Sequence, residues 1–145
     1  MGKNRHNNND SRLFYTWIDN AQEDIIAAEI MMSNSRCYKL ATFHCQQTLE
    51  KALKGFMLFK KNRLLDGHNL LWLCKQAMSV DKDFIDFLDE CALLNHCYIE
   101  TRYPSDLFFE VTEQQVKKFY LSTKDVFNKI CDKIYMEYVN VKARY

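Results

Sequence analysis

Breaker residues are scarce: the chain of 145 residues holds three Gly (Gly2, Gly55, Gly67) and a single Pro, Pro104. That scarcity excludes a hairpin-rich sheet, whose tight turns need residues that tolerate a positive φ, and it suits long helices. Net charge is equally low, +1 with His neutral, so no global field steers the chain onto nucleic acid or an anionic membrane, and any such contact must come from a local patch. The six cysteines (Cys37, Cys45, Cys74, Cys91, Cys97, Cys131) include no CxxC pair. Most fall where a helix would place its apolar face, so reduced core thiols are expected rather than disulfides or metal ligands. No run approaches the ~18 apolar residues of a membrane span, and the Asn-rich start, Met1 to Ser11, lacks the apolar segment of a secretion signal. A cytoplasmic protein with no membrane contact is expected.

What is present is an ordinary globular composition, 48% hydrophobic, 14% aromatic and 27% charged. A chain of this length buries roughly 70% of its unfolded surface, enough for one core without a metal or cofactor. Apolar residues recur at helical spacing in successive stretches. The first helix, capped by Asp10 or Ser11, runs to about Met32 and carries Phe14, Trp17, Ile18, Ala21, Ile25, Ala28 and Met32 inward. The second, from about Arg36 to Lys61, carries Leu40, Ala41, Cys45, Thr48, Leu49, Ala52, Phe56 and Phe59. These two should pair as an antiparallel hairpin. After the Asp66-Gly67 turn a short helix, about Asn69 to Met78, presents Leu70, Leu73, Cys74 and Ala77. A fourth, about Asp83 to Thr101, presents Phe84, Phe87, Leu88, Cys91, Leu94, Tyr98 and Ile99, and Pro104 forces an exit through Arg102 and Tyr103. Thr112 can cap the last helix, with Val116, Phe119, Tyr120, Thr123, Phe127, Ile130, Ile134 and Tyr138 inward. The expected architecture is all-α, an up-and-down bundle of about five helices over residues 10–139, with a disordered tail at 1–9 and a C-terminal tail at 140–145.

The stretch from Ala41 to Gly55, with His44, Gln46-Gln47 and Glu50-Lys51-Ala52-Leu53-Lys54, resembles the second-helix signature of HEPN domains. Gly67-His68-Asn69-Leu70 is similar to the opening of that family's third helix, and Arg102-Tyr103-Pro104 to the exit from its fourth. The resemblance implies a helical bundle that commonly pairs into a homodimer. It also implies work beside a small nucleotidyltransferase, in toxin–antitoxin or defence pairs, and nucleotide binding in some members.

Many HEPN proteins are metal-independent ribonucleases in which an Arg is followed four to six residues later by His at the end of the fourth helix. There His exchanges protons near neutral pH while Arg steadies charge growing on the phosphate. Arg102 stands in that place, yet the last histidine of the chain is His96, so the catalytic motif is absent and no catalytic residue is assigned. Arg63 and His68 have the right spacing but straddle the Asp66-Gly67 turn. His96 precedes Arg102 at a spacing that puts the two on different sides of one helix at 3.6 residues per turn; a composite site across a dimer would keep a degenerate ribonuclease open. On the second helix Gln46, Glu50 and Lys54 form one row and Gln47, Lys51 and Gly55 the next. That polar side fits a solvated or dimer-facing strip with an ordinary intrahelical ion pair; the functional alternative is a phosphate or base contact joined by His68, Arg102 and Tyr103. The candidate ligand-binding residues are therefore Gln46, Glu50, Lys51, Lys54, His68, Arg102 and Tyr103, for a nucleotide or RNA. Lys60, Lys61 and Arg63 extend the positive charge where it complements the end of a helix dipole. Neither Cys91 with His96 and Cys97 nor His44 with Cys45 matches the spacing of a closed zinc site. A purely structural adaptor, read by a partner protein through its surface, is the third functional reading.

Overall fold

A computed structural model describes residues 11–102 and 110–143, without the side chains of 98–102 and 143. Five helices account for the regular structure: α1 (Phe14–Met31), α2 (Tyr38–Lys61), α3 (Leu70–Met78), α4 (Leu88–Arg102) and α5 (Glu113–Ala143). No strand occurs among the described residues, as the shortage of turn residues requires.

Helix α2 is the axis of the bundle. It packs against α1, α3, α4 and α5, and Thr48 to Leu58 are buried apart from half-buried Lys51. α1 runs antiparallel to it, with Phe14 and Ile18 beside Gly55 and with Asp24 beside His44. Gly55 is what lets these two backbones approach: a Cβ there would meet Ile18 Cδ1 at 2.9 Å and the Phe14 carbonyl oxygen at 3.1 Å. α5 runs parallel to α2, since Lys60 pairs with Glu137 and Tyr38 and Val111 line one cleft. α3 and α4 form an antiparallel pair closing the remaining side, where the Asn95 side-chain oxygen accepts the Leu70 N–H at 2.9 Å. The core is aromatic where α2 meets this pair: the Phe56 and Phe84 rings are 4.4 Å apart and Phe84 and Phe87 5.3 Å.

Local chemistry sets the helix ends. The αL conformation of Asn62, φ 51°, ends α2. Gly67 at φ 107° turns the chain, and the Asn69 side chain caps α3 by accepting the Trp72 N–H at 3.0 Å. At α5 the Thr112 hydroxyl accepts the Gln115 N–H at 3.2 Å while the Gln115 side chain accepts the Thr112 N–H at 2.9 Å, a reciprocal capping box.

Several expectations are corrected. α1 begins after Leu13 with no side-chain cap; the Ser11 carbonyl accepts the Trp17 indole N–H at 2.8 Å instead, and Asp10 lies outside the described residues. Arg36 belongs to a 3-10 turn, Ser35–Cys37, capped by Asn34, and α2 starts after it. Leu40 is 52% exposed because it lies on the row of α2 that continues through half-buried His44, Gln47 and Lys51, not on the buried row through Ala41 and Cys45. Asp81 caps a 3-10 segment, Lys82–Phe87, and only from Leu88 does the chain become α-helical. α5 continues through Ala143, beyond the boundary at 139, and Tyr138 near its end is exposed. Residues 1–9, Tyr103 and Pro104 fall outside the described residues.

Candidate functional site

The row Gln46, Glu50 and Lys54 of α2 does not face solvent. Gln46, Glu50 and Lys54 are buried, because α1 covers one flank of the row and the connection from α2 to α3 passes over the other. Leu65 anchors that connection in the core, the Asp66 carboxylate accepts the Gly67 N–H at 2.9 Å, and His68 is thereby set against α2. Its Nδ1 lies 2.6 Å from Glu50 Oε1, while the side chain remains 59% exposed. Lys54 Nζ approaches the same oxygen at 4.0 Å and lies 5.5 Å from the centre of the Trp17 ring. The Gln46 amide donates to the His68 carbonyl at 3.4 Å, and Gln47 donates to the Gln46 side-chain oxygen at 2.6 Å. A buried carboxylate thus orients a surface imidazole, with an amide holding the backbone of the same residue.

Lys51 turns the other way. Its ammonium donates to Asp24 Oδ2 at 2.6 Å, and His44 Nδ1 lies 2.8 Å from Asp24 Oδ1. Asp24 is buried, so this cluster ties α1 to α2 next to the His68 cluster. Sequence reasoning passed over Asp24, although a signal was there: an acid stands on the inward stripe beside Ile25, between Ala21 and Ala28. Trp17 and Asn95 were missed as polar contributors too.

Of the predicted residues, the fold brings together Gln46, Glu50, Lys54 and His68 and sets Lys51 alongside. α4 passes the start of α3 at Asn95 and continues to Arg102; the Arg102 side chain and all of Tyr103 lie outside the described residues. The clustered positive charges are largely engaged: Lys60 donates to Glu137 at 2.7 Å, while Lys51 and Lys54 face carboxylates. Lys61 and Arg63 are exposed.

All six cysteines are free thiols. Burial pushes the Cys45 thiol up to about 12 against an opposing hydrogen bond with Thr123. A hydrogen bond with Cys74, together with burial, pushes Cys91 far up as well. Thiols so raised stay protonated and are poor nucleophiles or metal ligands. Among the described residues no group of three His, Cys, Asp or Glu side chains is placed to hold a metal ion, and no helix is long and apolar enough to cross a membrane.

Residues 14–134 match the HEPN domain family. Two solved structures share the fold. TT1696 from Thermus thermophilus is 23% identical over 83% of this chain and 97% of its own, with a TM-score of 0.70. ST0689, described as an archaeal HEPN homologue, is 25% identical over 84% of this chain and 98% of its own, with a TM-score of 0.67. No curated protein matches the chain.

Proposed function

Because the chain belongs to the HEPN family, we propose that it is a non-catalytic binding module that takes a nucleotide or an RNA segment by its phosphate at the His68 edge of α2. It works as a cytoplasmic homodimer beside a small nucleotidyltransferase of the toxin–antitoxin or defence kind. The carrying observation is the Glu50–His68 pair. With Nδ1 held 2.6 Å from a buried carboxylate, the ring cannot swing freely. When it is protonated its outer N–H is a fixed donor for a phosphate oxygen, and Glu50 balances the charge behind it. Support against ribonuclease action comes from the sequence, which has no histidine after Arg102. The free thiols agree with a reducing compartment.

The test is a fluorescence-polarisation titration of labelled ATP and of a short labelled RNA against the wild type, His68→Ala and Arg102→Ala. Loss of one charge-assisted hydrogen bond, about 1.5–3 kcal/mol, predicts binding weakened about tenfold or more by His68→Ala, measured at a temperature where circular dichroism shows the variant folded. Superimposable curves for wild type and His68→Ala would remove His68 from the site. RNA cleavage in chelator, above a His96→Ala control, would replace the reading with a composite ribonuclease. Copurification of a partner protein with no ligand bound would favour the adaptor.

A further inference from the structure

Asp24, His44 and Lys51 form a second carboxylate–imidazole cluster, which the His68 reading leaves unused. Asp24 stands on the inward stripe of α1 and is 8% exposed. Its Oδ2 accepts from the Lys51 ammonium at 2.6 Å, and its Oδ1 lies 2.8 Å from His44 Nδ1. A buried carboxylate needs a countercharge, and Lys51 alone supplies it. What the contact with His44 adds is orientation: with Nδ1 turned inward to Asp24, the ring presents its far edge, where Nε2 stands, to the surface. The side chains of His44 and Lys51 remain 24% and 27% exposed, so both are within reach of a ligand.

Glu50 and His68 repeat this construction on the other flank of α2. Half-buried Gln47 lies between the two pairs and donates to the Gln46 side chain, whose amide in turn holds the His68 carbonyl. His44 and Glu50 are six residues apart, so their side chains leave α2 about 120° apart; on a helix about 10–12 Å across, that separates their tips by roughly 10 Å. A single phosphate group with a hydrogen bond of about 2.8 Å on either side does not span that width, whereas linked phosphates do.

We propose that the two pairs are the two ends of one site, and that its ligand carries at least two linked phosphates: one taken by His68, another by His44 and Lys51. The inference rests on the His68 reading and narrows it, from any phosphate to a nucleoside polyphosphate or consecutive phosphates of an RNA strand. Each ring, when protonated, donates its outer N–H to a phosphate oxygen. The two carboxylates do not turn such a ligand away, because Lys51 lies against Asp24 and Lys54 against Glu50.

Isothermal titration calorimetry of the full chain with ATP, AMP and a short RNA tests this. His44→Asn keeps an amide at the position of Nδ1, and with it the bond to Asp24, but has no atom where Nε2 stood. It should weaken binding of ATP or RNA about tenfold while changing AMP binding less than about twofold. A loss with ATP identifies a nucleoside polyphosphate; a loss with RNA alone identifies backbone phosphates. Binding of ATP and RNA equal to wild type overturns the proposal, and so does an AMP affinity that falls as far as the other two. Imidazole nitrogen NMR of the wild type keeps the test independent of any variant's folding: the His44 Nε2 resonance should move with ATP or RNA and stay in place with AMP. His68→Ala separates the two readings. If it weakens binding and His44→Asn does not, the second subsite fails and the His68 site stands; if neither variant changes binding, the His68 site fails and the subsite with it.

Discussion

Replacing Glu50 with Gln tests how far the buried charges of α2 depend on one another. Glu50 is 4% exposed and Lys54 6%, so neither recovers water by a small movement. Glu50 Oε1 meets His68 Nδ1 at 2.6 Å and Lys54 Nζ at 4.0 Å. The amide keeps the shape and removes the charge, leaving the Lys54 ammonium facing the Trp17 ring at 5.5 Å. Removing one member of a buried pair costs about 3–5 kcal/mol, because the other charge is left uncompensated. Here the 4.0 Å spacing is long and the ring retains up to about 2 kcal/mol of the attraction, so the expected loss is about 2–3 kcal/mol. In a domain of this size that corresponds to a melting temperature lower by roughly 5–10 °C. Urea denaturation followed by far-ultraviolet circular dichroism gives the free energies for the wild type, Glu50→Gln, Glu50→Leu, Lys54→Met and the double variant Glu50→Leu/Lys54→Met. Each single change should destabilise. The double should recover most of the loss, since apolar side chains of similar volume replace a buried pair at little cost and the exposed His68 ring regains water. A Glu50→Gln protein within about 0.5 kcal/mol of wild type, or a double variant as unstable as its parts added together, would refute the interdependence.

Other outcomes follow from single contacts. Gly55→Ala should destabilise by about 1 kcal/mol in the same denaturation assay, because the new methyl meets the Phe14 carbonyl at 3.1 Å and overpacking outweighs the gain in helix propensity. Thr112→Ala removes one half of the α5 capping box and should cost about 1 kcal/mol; Thr112→Ser should restore it. Burial works to raise the Asp81 carboxyl, but hydrogen bonds from Lys133 and the Asp83 N–H, with the charges of Lys133 and Lys60, outweigh it and hold the group below the usual carboxylate range. Its stabilising contribution is therefore complete above the ordinary Asp value and is lost as the pH falls through the lowered one. NMR titration of the carboxyl should show the midpoint move up in Lys133→Met, and an unmoved midpoint would discount the pair.

How much of the site was legible depends on which physics wrote it. Glu50 and Lys54 advertise themselves by helical spacing, and His68 by its place after Gly67. The row that Glu50 and Lys54 form with Gln46 is nevertheless buried, because whether a polar row on α2 meets water depends on where the connection from Asn62 to Asn69 lies, and neither period nor composition contains that. Asp24 shows the converse: an acid in an apolar stripe is a local anomaly, and its meaning appears once His44 and Lys51 arrive from the neighbouring helix. Leu40 and Tyr138 carry the right spacing for a core and stay exposed: Leu40 sits on the half-buried row of α2 with His44, Gln47 and Lys51, and Tyr138 lines an open groove between α1 and α5.

The number and order of the helices, their hydrophobic stripes, the cap at Thr112 and the absence of an imidazole after Arg102 are all local properties, set by propensity and periodicity within a few residues, and so they can be read along the chain. The burial of the Gln46–Glu50–Lys54 row, the turn of Lys51 toward Asp24 and the uncovered face of α5 are properties of packing between distant segments. They come from close approach at Gly55 and from the lengths by which one helix outruns another, quantities that exist only when the chain is folded.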